Sequence, residues 1–135
     1  MELKFTKAQM CKVLEKYYQE QEGIKGKVTI KGHACNVGYE MCSYRDVLVD
    51  MKIEGEIVLD GMRLPLEKEI PTSDLQAAFT HFLSELNQEV ESVSFDKGIS
   101  YHTEGYYMSE ITVEKPYFKG VIVKLKNKTK KIGGM

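Results

Sequence analysis

The chain has 135 residues, 42% hydrophobic and 29% charged, with a formal net charge of -1. That length suits one domain able to bury about two thirds of its unfolded surface without disulfides or metal, and the composition excludes a disordered chain. There is no run of eighteen apolar residues and no apolar segment behind a basic start, so the sequence reads as cytoplasmic with no membrane partner. Three cysteines, Cys11, Cys35 and Cys42, make an odd count unsuited to a secreted disulfide framework.

In chain order, Leu3-Lys4-Phe5 reads as a short first strand, and Thr6 with Gln9 forms a capping box that opens a helix over Lys7 to Glu22. Met10, Val13, Leu14, Tyr17 and Tyr18 make its apolar stripe, and Gly23 supplies the stop. Lys27 to Cys35 and Gly38 to Tyr44 read as a strand pair. Val47 to Leu59 then alternates apolar and charged residues, and Asp60-Gly61 is the strongest short hairpin signal, since a type I′ turn needs positive φ at both central positions. A two-residue loop places Leu59 opposite Met62, Ile57 opposite Leu64 and Gly55 opposite Leu66. Pro65 cannot donate to a ladder, so the returning strand, Met62 to Ile70, belongs at an edge.

A second helix follows Pro71, capped at Thr72-Ser73 with Gln76 completing a second box, and its stripe is Leu75, Ala78, Phe79, Phe82, Leu83, Leu86 and Val90. Val93 to Phe95, Ile99 to Thr103, Tyr106 to Lys115 and Phe118 to Lys126 read as further strands, separated by turns near Asp96-Lys97-Gly98 and Lys115-Pro116.

The expected fold is α+β: two helices packed on one face of a twisted, mainly antiparallel sheet of about seven or eight strands. Residues 1–126 form a single domain and residues 127–135 a flexible basic tail. Half-repeats of about 1–70 and 71–126 are expected, related by a pseudo-twofold. Besides the two capping boxes, Gly38-Tyr39-Glu40-Met41 answers Gly105-Tyr106-Tyr107-Met108, and Gly55-Glu56-Ile57-Val58 answers Gly120-Val121-Ile122-Val123. The order strand, helix, strands, helix, strands, with Leu3-Lys4-Phe5-Thr6 and Glu69-Ile70-Pro71 at the helix starts, resembles one domain of the bacterial DNA sliding clamp. That resemblance implies a clamp-like topology and a nucleic-acid-associated role.

Charge divides along the chain. Lys124, Lys126, Lys128, Lys130 and Lys131 stand without acidic neighbours, leaving 14 of the 19 basic residues ahead of Lys124 against all 20 acidic ones. An acidic body opposes a broad phosphate-binding face, while a basic tail gives weak, salt-sensitive attraction to nucleic acid.

His33, Cys35 and Cys42 are the metal-capable residue types closest in sequence, but they lack the paired bites of structural zinc sites. His33 and Cys35 share a strand face without an orienting acid or an oxyanion motif, so small buried residues are the simpler reading. No nucleotide-binding, metalloprotease or serine-hydrolase motif occurs. No cofactor is implied, and an enzyme is disfavoured. Six of the eight tyrosines lie on β tracts. The binding residues expected are Tyr101, Tyr106, Tyr107 and Tyr117, with Lys124, Lys126 and Lys128. The sequence therefore points to a protein-binding or self-associating module, acting through a sheet edge or a tyrosine-bearing face. The runners-up are a nucleic-acid accessory protein and, behind it, a Cys/His metal or thiol enzyme.

Overall fold

In a computed structural model, residues 1–34, 47–106 and 109–126 are described, with the backbone alone at 33, 34, 101–104, 106 and 109–115. The elements run β1 (Glu2–Thr6), α1 (Lys7–Glu22), β2 (Lys25–Ala34), β3 (Val47–Leu59), β4 (Met62–Glu69), α2 (Thr72–Ser84), β5 (Val90–Tyr106) and β6 (Ser109–Leu125). They make an α+β fold with two antiparallel three-stranded sheets, ordered β1-β6-β5 and β2-β3-β4.

Six strands in two sheets replace the single sheet of seven or eight, for two reasons. The strand expected at Gly38 to Tyr44 lies outside the described residues. The four short strands expected after α2 are two long ones, because Asp96-Lys97-Gly98 is a bulge and not a turn: Asp96 pairs with Gly120 and Lys97 with Phe118, leaving Lys119 unopposed. Side chains alternate along a strand, so the extra residue resets the phase. Val121, Val123 and Leu125 are buried, and the bulge lets Phe118 join them while Tyr117 turns outward. Pro116 is tolerated because β1 pairs with β6 only over Gly120 to Lys124, so no ladder bond to β1 is lost at position 116.

The first capping box forms: the Thr6 N–H donates to Gln9 Oε1 at 2.9 Å and the Gln9 N–H to Thr6 Oγ1 at 3.2 Å. Gly23 ends α1 at φ 69°, a left-handed position open to glycine. The second box does not form. Pro71 is the N-cap of α2 with no side-chain cap bond, Thr72 and Ser73 lie inside the first turn, and the helix stops at Ser84. Leu86 is therefore exposed, and Val90 opens β5.

The buried stripes explain this displacement. A shift of 65 carries Met10, Val13, Leu14 and Tyr18 onto Leu75, Ala78, Phe79 and Leu83, the buried sets of the two helices. On that register Thr6 falls on Pro71, two residues before Ser73. The order strand, helix, two strands occurs twice, β1 to β3 and β4 to β6, and each leading strand pairs with the other unit's hairpin: β1 with β6, β4 with β3. The two glycine motifs are not equivalent in pairing, since Gly55 faces Gly26 and Leu66 while Gly120 faces Thr6 and Asp96.

Both helices and both sheets share one core. Phe79, Met10, Leu14 and Ile53 are fully buried, each worth roughly 1.5–3 kcal/mol of transfer free energy. Phe5 packs tilted against Phe79 at 4.9 Å between centroids, and Phe95 meets Phe118 edge-on at 5.6 Å. A polar knot ties α1, α2 and β4 together. The hydroxyl of buried Tyr18 donates to Asp74 Oδ2 at 2.5 Å, and Lys68 Nζ lies 3.0 Å from Glu22, 3.8 Å from Asp74 and 5.1 Å above the Tyr18 ring.

Candidate functional site

The β3–β4 hairpin leaves the core at a glycine pair. Gly26 on β2 faces Gly55 on β3, and a Cβ on Gly55 would fall inside the Lys25 carbonyl, so the two backbones approach there as no other residue would permit. Beyond this point β3 and β4 continue alone to the turn at Asp60-Gly61, where φ is 51° and 76°, both positive as type I′ requires. The register is the one the turn dictates: Leu59 with Met62, Ile57 with Leu64, Gly55 with Leu66.

In such a hairpin the residues flanking the turn exchange both hydrogen bonds, and bonded pairs then recur every second residue. Ile70 N–H donating to the Met51 carbonyl at 2.8 Å keeps that phase. Pro65 lies in an intervening pair, with its nitrogen turned away from β3. By the same alternation the Val28 N–H on β2 turns away from β3, and it donates to Glu15 Oε2 of α1 at 2.9 Å. One edge of this sheet is thus interrupted by a proline and the other is bridged by a carboxylate, both devices that discourage strand addition.

The faces of the arm behave otherwise. The stripe that is buried as Val47, Met51 and Ile53 continues through Ile57, which still packs against the core, and outward to Leu59, Met62 and Leu64. Leu59 is 52% exposed, Met62 57%, Leu64 37%, and Val58 on the opposite face 60%. Asp60 and Arg63 flank this tip with opposite charges. Nearer the core the outer face is acidic, with Asp50, Glu54, Glu56, Glu67 and Glu69 around Lys52. Lys52 Nζ reaches Glu54 at 2.8 Å and Glu67 at 3.4 Å, which holds the Glu54 carboxyl below its ordinary range and the Lys52 ammonium above its own.

The binding residues expected from sequence are spread along the other sheet. Tyr117 is exposed opposite Gly98, and a Cβ on Gly98 would meet its ring at 2.8 Å, so the ring covers a glycine. Tyr101 stands opposite Glu114 and Tyr106 opposite Ser109, while Tyr107 and Lys128 lie outside the described residues. Lys124 pairs in register with Glu2 and Ser92, and the Lys126 N–H donates to the Glu89 carbonyl. Tyr117 and Lys124 are separated along β6 by roughly 20 Å, at 3.3 Å per residue. Backbone register places His33 opposite Leu48 on β2, and Cys35 and Cys42 lie outside the described residues. Burial and the neighbouring Glu15 push the Cys11 thiol up, with Lys7 pulling the other way, so this thiol is not activated.

Sequence spacing could not anticipate the meeting of Glu20, His81 and Glu85 across the two helices. Their ligand atoms lie within 4.8 Å of one another, the one such trio among the described residues. They are engaged with one another and with a lysine: His81 Nε2 lies 3.1 Å from Glu85 and 3.7 Å from Glu20, and Lys16 Nζ pairs with Glu85 at 3.3 Å.

Comparison with known protein families, with curated proteins and with solved structures finds no match. Among the described residues no helix is long and apolar enough to cross a membrane.

Proposed function

We propose that this chain is a non-catalytic assembly module that pairs with a second copy of itself through the tip of the β3–β4 arm. The observation that carries the reading is the cluster of Leu59, Met62 and Leu64, exposed on one face of a ribbon that has already left the core. Their fractional exposures correspond to roughly 250 Å² of contiguous apolar surface, approaching the few hundred Å² at which a patch marks an interaction site.

Three features favour a second copy as the occupant. A twofold contact sets the apolar stripe against an identical stripe. Arg63, opposite Val58 on the other face of the arm, stays out of that contact, so no like charges meet across it. Finally, Pro65 and the Glu15 bridge to Val28 discourage strand addition at the sheet edges, which leaves contact between faces as the mode. The internal repeat belongs to the same reading: the arm joins the last strand of the first strand-helix-hairpin unit to the leading strand of the second.

Two such patches bury on the order of 500 Å² of apolar surface, about 12 kcal/mol gross at 25 cal/mol per Å². Association costs of about 4–15 kcal/mol leave at most about 8 kcal/mol, a dimer in the micromolar range or weaker. Sedimentation equilibrium from micromolar to millimolar concentration tests it. The wild type should pass from monomer to dimer and Met62→Asp should remain monomeric with an unchanged circular dichroism spectrum. A wild type that stays monomeric throughout, or a Met62→Asp variant that dimerises equally, rejects the reading.

A further inference from the structure

A second surface, on the helical side, has the chemistry of a small-ligand site. Phe5 of β1, Val13 of α1 and Phe82 of α2 floor a groove of about 320 Å³, with Gln9, Lys12 and Lys16 along its rim. Its position follows from the fold. The capping box holds Gln9 back against Thr6, opening the first turn of α1, and Phe5 turns its ring edge-on to Phe82 at 6.4 Å to form the floor.

The volume lies at the lower end of ligand-binding pockets. The floor carries no polar atom that a sugar or nucleotide would need, and the two charged side chains on the rim are both cations. Lys16 Nζ stands 6.0 Å from the Phe82 centroid, over the ring, so a charge bound to it sits directly above apolar surface. Lys16 now pairs with Glu85 at 3.3 Å, with both side chains about half exposed, a geometry worth little in water and open to exchange.

We propose that this groove binds a medium-chain aliphatic carboxylate, the chain lying on Phe5, Val13 and Phe82 and the carboxylate taking the place of Glu85 on Lys16, with Lys12 one turn away on the same rim. The match is one of charge as well as shape: an apolar tail alone leaves both lysines idle, and an anion without a tail leaves the floor wet. Glu85 is the opposing charge, so its neutralisation should favour the ligand.

Sodium decanoate is the probe, titrated below its micelle-forming concentration against the full chain and followed by the NMR signals of Val13 and Phe82. Saturable shifts confined to the groove are expected, weakened tenfold or more in a Lys12→Gln, Lys16→Gln double variant and strengthened in Glu85→Gln. Decanol and decyltrimethylammonium should each bind at least tenfold more weakly than decanoate. All three substitutions are at exposed positions, and circular dichroism checks that each variant is folded. Non-saturable shifts, shifts centred elsewhere, or equal binding of decanoate and decanol would each overturn the assignment.

Discussion

Tyr18→Phe isolates a part-buried polar contact that joins α1 to α2. It removes the hydroxyl that donates to Asp74 at 2.5 Å while keeping the ring that packs in the core beneath Lys68. Hydrogen bonds to charged acceptors contribute about 1.5–3 kcal/mol. Asp74 keeps Lys68 at 3.8 Å and a side chain 24% exposed, so it recovers some hydration when the hydroxyl goes. The expected loss is therefore at the low end, about 1.5 kcal/mol, or a melting temperature lower by about 3–5 °C for a domain this size. The substitution also predicts a pH dependence. Burial first, then the bond to Asp74, raises the Tyr18 pKa well above its ordinary value of 10.0. A raised folded-state pKa contributes stability that is fully present below the unfolded value and declines as pH rises beyond it, because only the unfolded chain releases the proton. Denaturant melts between about pH 8 and pH 11 should show wild-type stability falling above about pH 10, by up to 1.4 kcal/mol per unit, with no matching fall in Tyr18→Phe. Equal stability of the two proteins at neutral pH, or parallel decline at high pH, would refute the role given to this contact.

The two helix starts should respond differently: Thr6→Ala should cost about 1 kcal/mol by removing a formed cap, whereas Ser73→Ala should cost less than about 0.5 kcal/mol, both read by urea denaturation. Leu83→Ala should destabilise by about 2–5 kcal/mol and Leu86→Ala by less than about 0.5 kcal/mol, since only the first side chain is buried. Pro65→Thr should leave both folding stability and self-association unchanged in denaturation and sedimentation, because its nitrogen faces away from β3 and the proposed contact uses the face of the arm.

What the sequence reveals and conceals follows from the range of the forces involved. Helix α1, strand β3 and the Asp60-Gly61 hairpin are legible because a cap, a period-two pattern and a pair of positive φ angles are local properties, written within a few residues of where they act. The start of α2 is not, because Ser73 and Gln76 offer the same cap chemistry as Thr6 and Gln9, but the lead-in from β4 begins the helix two residues earlier. The bulge at Lys119 is hidden for a related reason: Asp96-Lys97-Gly98 has turn composition, and only pairing with β6 shows the strand running through it. For the candidate sites, the alternation running unbroken to Leu59 and on through Met62 and Leu64 was visible, yet which part of that stripe lies past the core depends on where Gly26 meets Gly55. The groove joins Phe5 to Phe82, and the cluster joins Glu20 to His81. Such distances along the chain are bridged only by tertiary packing.

The central claim is that two copies meet through the faces of their β3–β4 arms. Its most direct test is the inter-copy distance between single spin labels at residue 63, introduced as Arg63→Cys with Cys11, Cys35 and Cys42 replaced by Ser, measured at concentrations where the chain is dimeric. Facing sheets pack about 10 Å apart and residue 63 lies on the outer face of each arm, so a face-to-face dimer predicts one distance of about 20–30 Å, lost when Met62→Asp is added. A dimer whose labels are far apart, or show no dipolar coupling, would contradict it.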